Sequence, residues 1–119
     1  MNLSLLLEEE VRCSALGTGI ELGPARGQIL QLVLDIRRMS ERQTIDMLVW
    51  GSTNGTDWGP RPLVTIPRKY YCGSYSYKLD LTEHPDVKFI NAEYRVNKPG
   101  AVLSMTAEMA HELAMAAAV

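Results

Sequence analysis

Apolar residues alternate with polar ones along several separate stretches of this chain, and a period of two residues is the pattern of a half-buried β-strand. In residues 28–39, leucine or isoleucine occupies every second position from Leu30 to Ile36, and the residues between them form the opposite face of the strand. In residues 75–81, Tyr75 and Tyr77 and then two leucines alternate with serine, lysine and aspartate. Each of these strands is therefore expected to bury one face and expose the other.

The remaining stretches extend this pattern, and turn residues rather than helices separate them. Residues 3–12 fit either a short strand or a turn or two of helix, because Leu5 and Leu7 alternate whereas Ser4 is a suitable helix cap; the alternation favours a strand. About seven to eight strands without βαβ alternation predict an all-β fold, a single antiparallel β-sandwich. Further strands are predicted at residues 45–50, 63–66, 88–96 and 101–109, a brief extended piece at 19–24, and a short helical tail at 108–119.

The chain has 119 residues, which is enough for one core and too few for two. We expect a single domain over residues 1–119, with its core at about residues 11–110. The apolar termini at residues 3–7 and 113–119 are expected to serve as assembly arms. Prolines on both sides of residues 63–66 predict an edge strand, because proline has no N–H to donate to a neighbouring strand.

The formal net charge of −2 gives no general electrostatic reason to bind nucleic acid or an anionic membrane. The apolar N-terminal run has no basic segment before it, unlike a signal peptide, and no apolar run reaches bilayer-spanning length. Cys13 and Cys72 lack CxxC spacing, which favours two free thiols in a reducing compartment over a disulfide. The expected location is the cytoplasm, or a particle assembled there.

A tight turn is predicted within residues 50–59, which read WGSTNGTDWG. Asn54 and Gly55 both tolerate the positive φ values that a two-residue hairpin turn demands. Trp58 follows the reversal, where its ring can fold back over the flanking strands and exclude water. We interpret Asn54, Gly55 and Trp58 as a structural turn, because this segment holds no nucleophile beside a base.

The segments GIELGPARGQ at residues 19–28 and IDMLVWGSTNGTDW at residues 45–58 resemble small β-sandwich proteins found among tailed-phage and prophage structural genes. They are also similar to the discoidin, or galactose-binding-like, sandwiches, whose turn reads S-x-D-G-x-x-W. The resemblance covers most of residues 11–110 and implies a jelly-roll or galactose-binding-like sandwich. Asn54 replaces the usual Asp, and Asn91 stands where the discoidin-like pattern tends to carry Arg. The ligand loops do not align, so no ligand residue is carried over.

Residues that often carry catalysis or bind metals form no motif in this chain. His84 lies in a Glu-His-Pro-Asp corner, where it could pair with Asp86, and His111 lies in the tail. Neither histidine has a second histidine or a cysteine at metal-ligand spacing. There is no phosphate-binding glycine loop, nucleophile elbow or carboxylate pair. We therefore predict no catalytic residue, no cofactor and no metal, and we predict that the protein is not an enzyme.

Three aromatic residues are predicted to contact a ligand or partner. Trp58 is one, and Tyr70 and Tyr71, which follow two basic residues, are the others. Tyr75 and Tyr77 are assigned to the core instead, because they alternate with polar residues within a predicted strand.

Two functions fit this sequence. The first is a non-enzymatic, phage-like structural module that self-associates into a homo-oligomeric ring, shell or filament. It is favoured by the absence of catalytic motifs, by the apolar termini, and by Val33, Leu48 and Val64, which are predicted to point outwards. The alternative is a carbohydrate- or surface-binding module of the discoidin type that uses loop aromatic residues. The predicted partners are thus a second copy, a glycan or another structural protein.

Overall fold

The computed structural model describes residues 2–17 and 19–109, which form two antiparallel β-sheets and a short 3-10 turn at Gly23–Ala25. The predicted all-β sandwich is confirmed. No helix among the described residues has the length and hydropathy to cross a bilayer. The strands are β1 (Asn2–Glu10), β2 (Ala15–Leu16), β3 (Ile20–Glu21), β4 (Ile29–Arg38), β5 (Ile45–Ser52), β6 (Val64–Lys69), β7 (Gly73–Asp80), β8 (Phe89–Val96) and β9 (Val102–Met109).

The two sheets differ in size and in the strands that form their edges. The four-stranded sheet has the order β1-β9-β4-β7, so β1 and β7 are its edges. The five-stranded sheet has the order β2-β8-β5-β6, and β3 pairs with β8 alongside β2. β6 is therefore an edge strand, as predicted, although it extends beyond the predicted residues 63–66 and includes Pro67.

The core lies between the sheets and is built from alternate residues of the long strands. In β4, the alternation of buried and partly buried residues follows the predicted pattern, with the leucines and Ile36 turned inwards. Burying a leucine or isoleucine side chain stabilises a fold by roughly 1.5–3 kcal/mol, so these positions fix which face each strand presents. The central buried residues are Leu30, Leu32, Leu34 and Ile36 of β4, Ile45, Met47 and Val49 of β5, Ile90 and Ala92 of β8, and Leu103, Met105 and Ala107 of β9.

One prediction about side-chain direction is wrong, and a second is right although the side chain is covered. Val64 lies directly opposite Val49 in the β5–β6 ladder and packs against the core, so it does not point outwards. Leu48 does lie on the outer face, but its neighbours leave it only 9% exposed. Tyr75 and Tyr77 are partly buried against the core, in agreement with their alternation.

The structure also assigns two short segments. Residues 15–16 form β2, a two-residue strand that is too short for any alternation to be visible in the sequence. Residues 108–109, which belonged to both the predicted strand and the predicted helical tail, end β9. The rest of the predicted helical tail, with His111, lies outside the described residues.

The connection between β5 and β6 is a long loop over residues 53–63 and not the predicted two-residue turn. Gly55 has the expected positive φ of 84°, whereas Asn54 does not have a positive φ. The Oδ1 atom of Asn54 instead accepts hydrogen bonds from the backbone N–H groups of Thr56 and Asp57, both at 2.9 Å. Side-chain oxygens thus hold this loop, as Asn often does in turns.

Replacing Gly55 with valine should lower the free energy of unfolding by about 1–2 kcal/mol or more, because a β-branched residue fits a positive φ poorly. The added Cβ would lie 3.5 Å from the ring of Phe89, which is an ordinary van der Waals distance, so the backbone conformation is the main cost. Thr53→Val places the same side chain at an exposed position of this loop and should change stability by at most about 0.5 kcal/mol. Chemical denaturation compares the two variants, and equal stabilities would contradict the strain at Gly55.

Candidate binding site on the five-stranded sheet

The outer face of the five-stranded sheet carries an unusual group of side chains. Residues directly opposite each other in an antiparallel ladder point to the same face. Trp50 of β5 is opposite Asn91 of β8, and Glu93 of β8 is opposite both Leu48 of β5 and Leu16 of β2. Since the alternate residues of β5 and β8 form the core, these five residues lie on the side away from it.

Part of this face forms a shallow cleft of about 260 Å³, which we call the tryptophan cleft. Both tryptophans of the chain lie on it. Trp50 comes from β5, whereas Trp58 comes from the β5–β6 loop, and each is partly exposed. The cleft is lined by Leu16, Trp50, Trp58, Gly59 and Glu93.

The position of Trp58 depends on a glycine in another part of the chain. The Cζ2 and Cη2 atoms of its indole lie 2.8 Å from the point that a Cβ atom on Gly19 would occupy. A side chain at residue 19 would therefore collide with the ring. Within the loop, the Oδ1 atom of Asp57 accepts a hydrogen bond of 3.0 Å from the N–H of Gly59. This hydrogen bond joins the residues immediately before and after Trp58 and fixes the backbone on both sides of it.

Glu93, on the lining of the tryptophan cleft, belongs to a charge pair. The indole N–H of Trp50 donates to Glu93 Oε1 at 3.0 Å, and the Nε of Arg95 donates to Glu93 Oε2 at 2.9 Å. The bond from Arg95 is the main cause that lowers the pKa of Glu93 from its ordinary value. Glu93 is therefore ionised at neutral pH, and the adjacent guanidinium balances its charge.

A second cavity of about 380 Å³, the loop chamber, adjoins the cleft and shares Trp58 and Gly59 with it. The chamber brings the predicted turn and the Glu-His-Pro-Asp corner together at one end of the sandwich. His84 is exposed there, and within the described residues it forms no ion pair with Asp86. The polar side chains of its lining are Ser52, Thr53, Asp57, Arg61, His84 and Asp86.

Tyr70 and Tyr71 lie at the opposite end of the sandwich from Trp58. Because β5 and β6 are antiparallel, the loop after Ser52 is at one end of the ladder, and the connection after Lys69, which pairs with Ile45, is at the other. The two tyrosines are 58% and 77% exposed. The three predicted contact residues therefore do not form one site.

Sequence reasoning missed most of the cleft. Trp50 and Glu93 occupy the outer positions of β5 and β8, where a large aromatic residue on a polar face was a usable signal. Leu16 gave no such signal, because it belongs to a two-residue strand. That these residues meet depends on pairing between strands that are distant in sequence.

No group of three or more potential metal ligands is found in the part of the chain that the structure describes. Cys13 and Cys72 are both free and exposed, which confirms the predicted free thiols. The sequence matches no family model, and a search of curated proteins finds no significant relative. The resemblance to phage-type and discoidin-like sandwiches therefore stays a prediction.

The NMR signal of the Trp50 indole N–H should follow the protonation of Glu93, since the two groups are hydrogen-bonded. The pKa of Glu93 is lowered in the fold. The pair therefore contributes stability above the ordinary glutamate pKa of about 4.3, and this contribution is lost as the pH falls towards the folded-state pKa. In an NMR titration, we expect the Trp50 indole signal to shift with a midpoint below about 4.3.

The control for this titration is Glu93→Gln, which removes the ionisable group and keeps the shape of the side chain. In this variant the Trp50 signal should no longer titrate in the acid range. A parent midpoint at or above that of an ordinary glutamate would contradict the charge pair.

Proposed function

We propose that the protein is a non-enzymatic structural subunit that self-associates by pairing the two edges of its four-stranded sheet. Neighbouring strands alternate in direction across the order β1-β9-β4-β7, so β1 and β7 run in opposite directions. A second copy placed beside the first by translation therefore brings its β1 antiparallel to β7. The sheet then continues from copy to copy through backbone hydrogen bonds that an edge strand leaves open.

The registers across the sheet show which residues of the two edges lie at the same level. Glu9 is opposite Leu103, which is opposite Ile36, which is opposite Gly73. Without stagger, each edge residue thus meets its level partner from the next copy. The level pairs are Leu3 with Tyr77, Leu6 with Tyr75 and Glu9 with Gly73.

Apolar side chains at both edges support this contact. Tyr75 and Tyr77 are only partly buried, and their level partners on β1 are the buried Leu6 and the partly buried Leu3. Aromatic and aliphatic pairs across neighbouring strands contribute roughly 0.2–1 kcal/mol each. Leu7 and Tyr71 are each 77% exposed, the first on β1 and the second two residues before β7. Exposed large apolar residues of this kind mark interaction surfaces when they cluster.

The charges at the two edges are complementary. The glutamates on either side of Glu9 pair with arginines of β4, whereas Glu9 is in no ion pair among the described residues. Lys69 belongs to β6 of the other sheet, but its ammonium lies 4.3 Å from the ring centroid of Tyr75 on the β7 edge. In the translated copy, Glu9 is level with Gly73, which lies two residues before Tyr75 in β7. The open and antiparallel edges are the observation that carries the proposal, and Lys69 supplies a positive charge close to one of them.

The geometry of β1 favours a curved assembly. Its ladder with β9 has two register shifts, between Ser4 and Leu6 and between Leu6 and Glu9. Such bulges bend a strand and increase its twist, so successive copies meet at an angle. A repeated head-to-tail contact of this kind closes into a ring or extends as a helical filament. The sequence resemblance favours a phage-like particle as its setting, and the two free thiols fit assembly in a reducing compartment.

Charge reversal tests the contact directly. Glu9→Lys and Lys69→Glu should each raise the dissociation constant of self-association by roughly fivefold or more, because an exposed ion pair contributes about 1 kcal/mol. An equimolar mixture of the two variants should assemble, because every junction in an alternating chain then joins opposite charges. Sedimentation velocity measures all three samples and the parent protein.

The matched control is Glu83→Lys, which makes the same charge change at an exposed corner at the other end of the sandwich. It should assemble like the parent. A parent protein that stays monomeric at high micromolar concentration would contradict the proposal. So would two charge-reversed variants that stay apart when mixed although each melts like the parent.

A further inference from the structure

The tryptophan cleft has the composition of a site for an uncharged ring with one apolar face. We infer that it binds a neutral pyranose ring of a glycan, independently of the edge pairing. The C–H groups on one face of a pyranose carry slight positive charge and pack against the negative face of an aromatic ring. Trp50 and Trp58 supply two such rings, and Leu16 extends the apolar surface.

The polar groups of the cleft suit hydroxyl groups. Glu93 lines the cleft and has lone pairs left after accepting from Trp50 and Arg95. A sugar hydroxyl can donate a hydrogen bond to these lone pairs. A few placed polar groups among aromatic walls are typical of small-molecule sites.

Charge balance favours a neutral sugar over an organic cation. Aromatic cages that bind quaternary ammonium groups rely on the attraction of a cation to the ring faces, and a free carboxylate strengthens it. The Nε of Arg95 lies 2.9 Å from the carboxylate of Glu93, outside the lining of the cleft. The charge of Glu93 is therefore already balanced by a guanidinium, and a bound cation would gain little from it.

The size of the site indicates a ring that belongs to a longer chain. The cleft of about 260 Å³ is smaller than the roughly 300–1,000 Å³ typical of pockets for drug-sized ligands. It is also open to solvent, so the rest of a ligand can extend out of it. The loop chamber continues beyond Trp58 and Gly59 and offers Arg61 and His84 to a neighbouring ring.

Gly19 is the positioning residue of this site. A methyl group at residue 19 would lie 2.8 Å from two carbons of the Trp58 indole, so Gly19→Ala must displace the ring. The colliding atoms are the far end of a side chain and not backbone. The indole can therefore move while the sheet stays intact, which separates sugar binding from folding.

The test uses tryptophan fluorescence, excited at a wavelength that tyrosine does not absorb, which reports on this cleft because the chain has two tryptophans and both line it. The probes are a printed array of neutral glycans, followed by titration of the free oligosaccharides that bind. We expect saturable fluorescence changes that give a dissociation constant for each oligosaccharide. Trp58→Ala should raise this dissociation constant by roughly thirtyfold or more, as for a central aromatic contact. Gly19→Ala should raise it by roughly fivefold or more without a lower melting temperature.

Thr65→Ala is the control, because Thr65 is exposed on the outer face of the same sheet and lies outside the cleft. It should bind sugar like the parent. Tetramethylammonium chloride serves as the competing probe. The inference is overturned if no neutral glycan binds, if tetramethylammonium alone changes the fluorescence, or if Gly19→Ala binds as tightly as the parent.

Discussion

Burial of the alternate side chains of β4 between the two sheets is the constraint on which the rest of this structure depends. β4 is the inner strand that pairs with both β7 and β9, and its leucines and Ile36 are almost fully buried. A slip of one residue would turn this entire set towards solvent, so the registers on both sides are strongly determined. Those registers in turn decide which edge residues are level and therefore where Glu9 and Gly73 lie.

Period-two patterns were sufficient to predict the fold class and most strands, because alternation is a local signal that burial reinforces. These patterns could not predict features that depend on pairing between strands distant in sequence. Val64 could not be assigned to the core before its partner Val49 was known. Similarly, Asn54 predicted a reversal, but only the structure shows that its side chain supports a long loop. The cleft joins β5, β8, β2 and a loop, so its residues share no local pattern.

The two proposed surfaces use different parts of the sandwich and have different physical origins. Edge pairing uses backbone groups of the four-stranded sheet, whereas the cleft uses side chains on the outer face of the other sheet. That outer face also carries Asn91, which is 3% exposed and whose Oδ1 has no hydrogen-bond partner among the described residues.

The open edges of the four-stranded sheet also set a spacing. Strands in a sheet lie about 4.8 Å apart, so the width of the four-stranded sheet fixes the distance between neighbouring copies in the proposed assembly. Each copy would then present its own aromatic cleft at that regular interval along one side of the assembly. A sugar held weakly by a single shallow cleft is retained far longer when its neighbours on the same polymer occupy adjacent clefts, since later contacts form within one complex. Subunit number would thus tune avidity for a repetitive glycan surface without any change in the cleft.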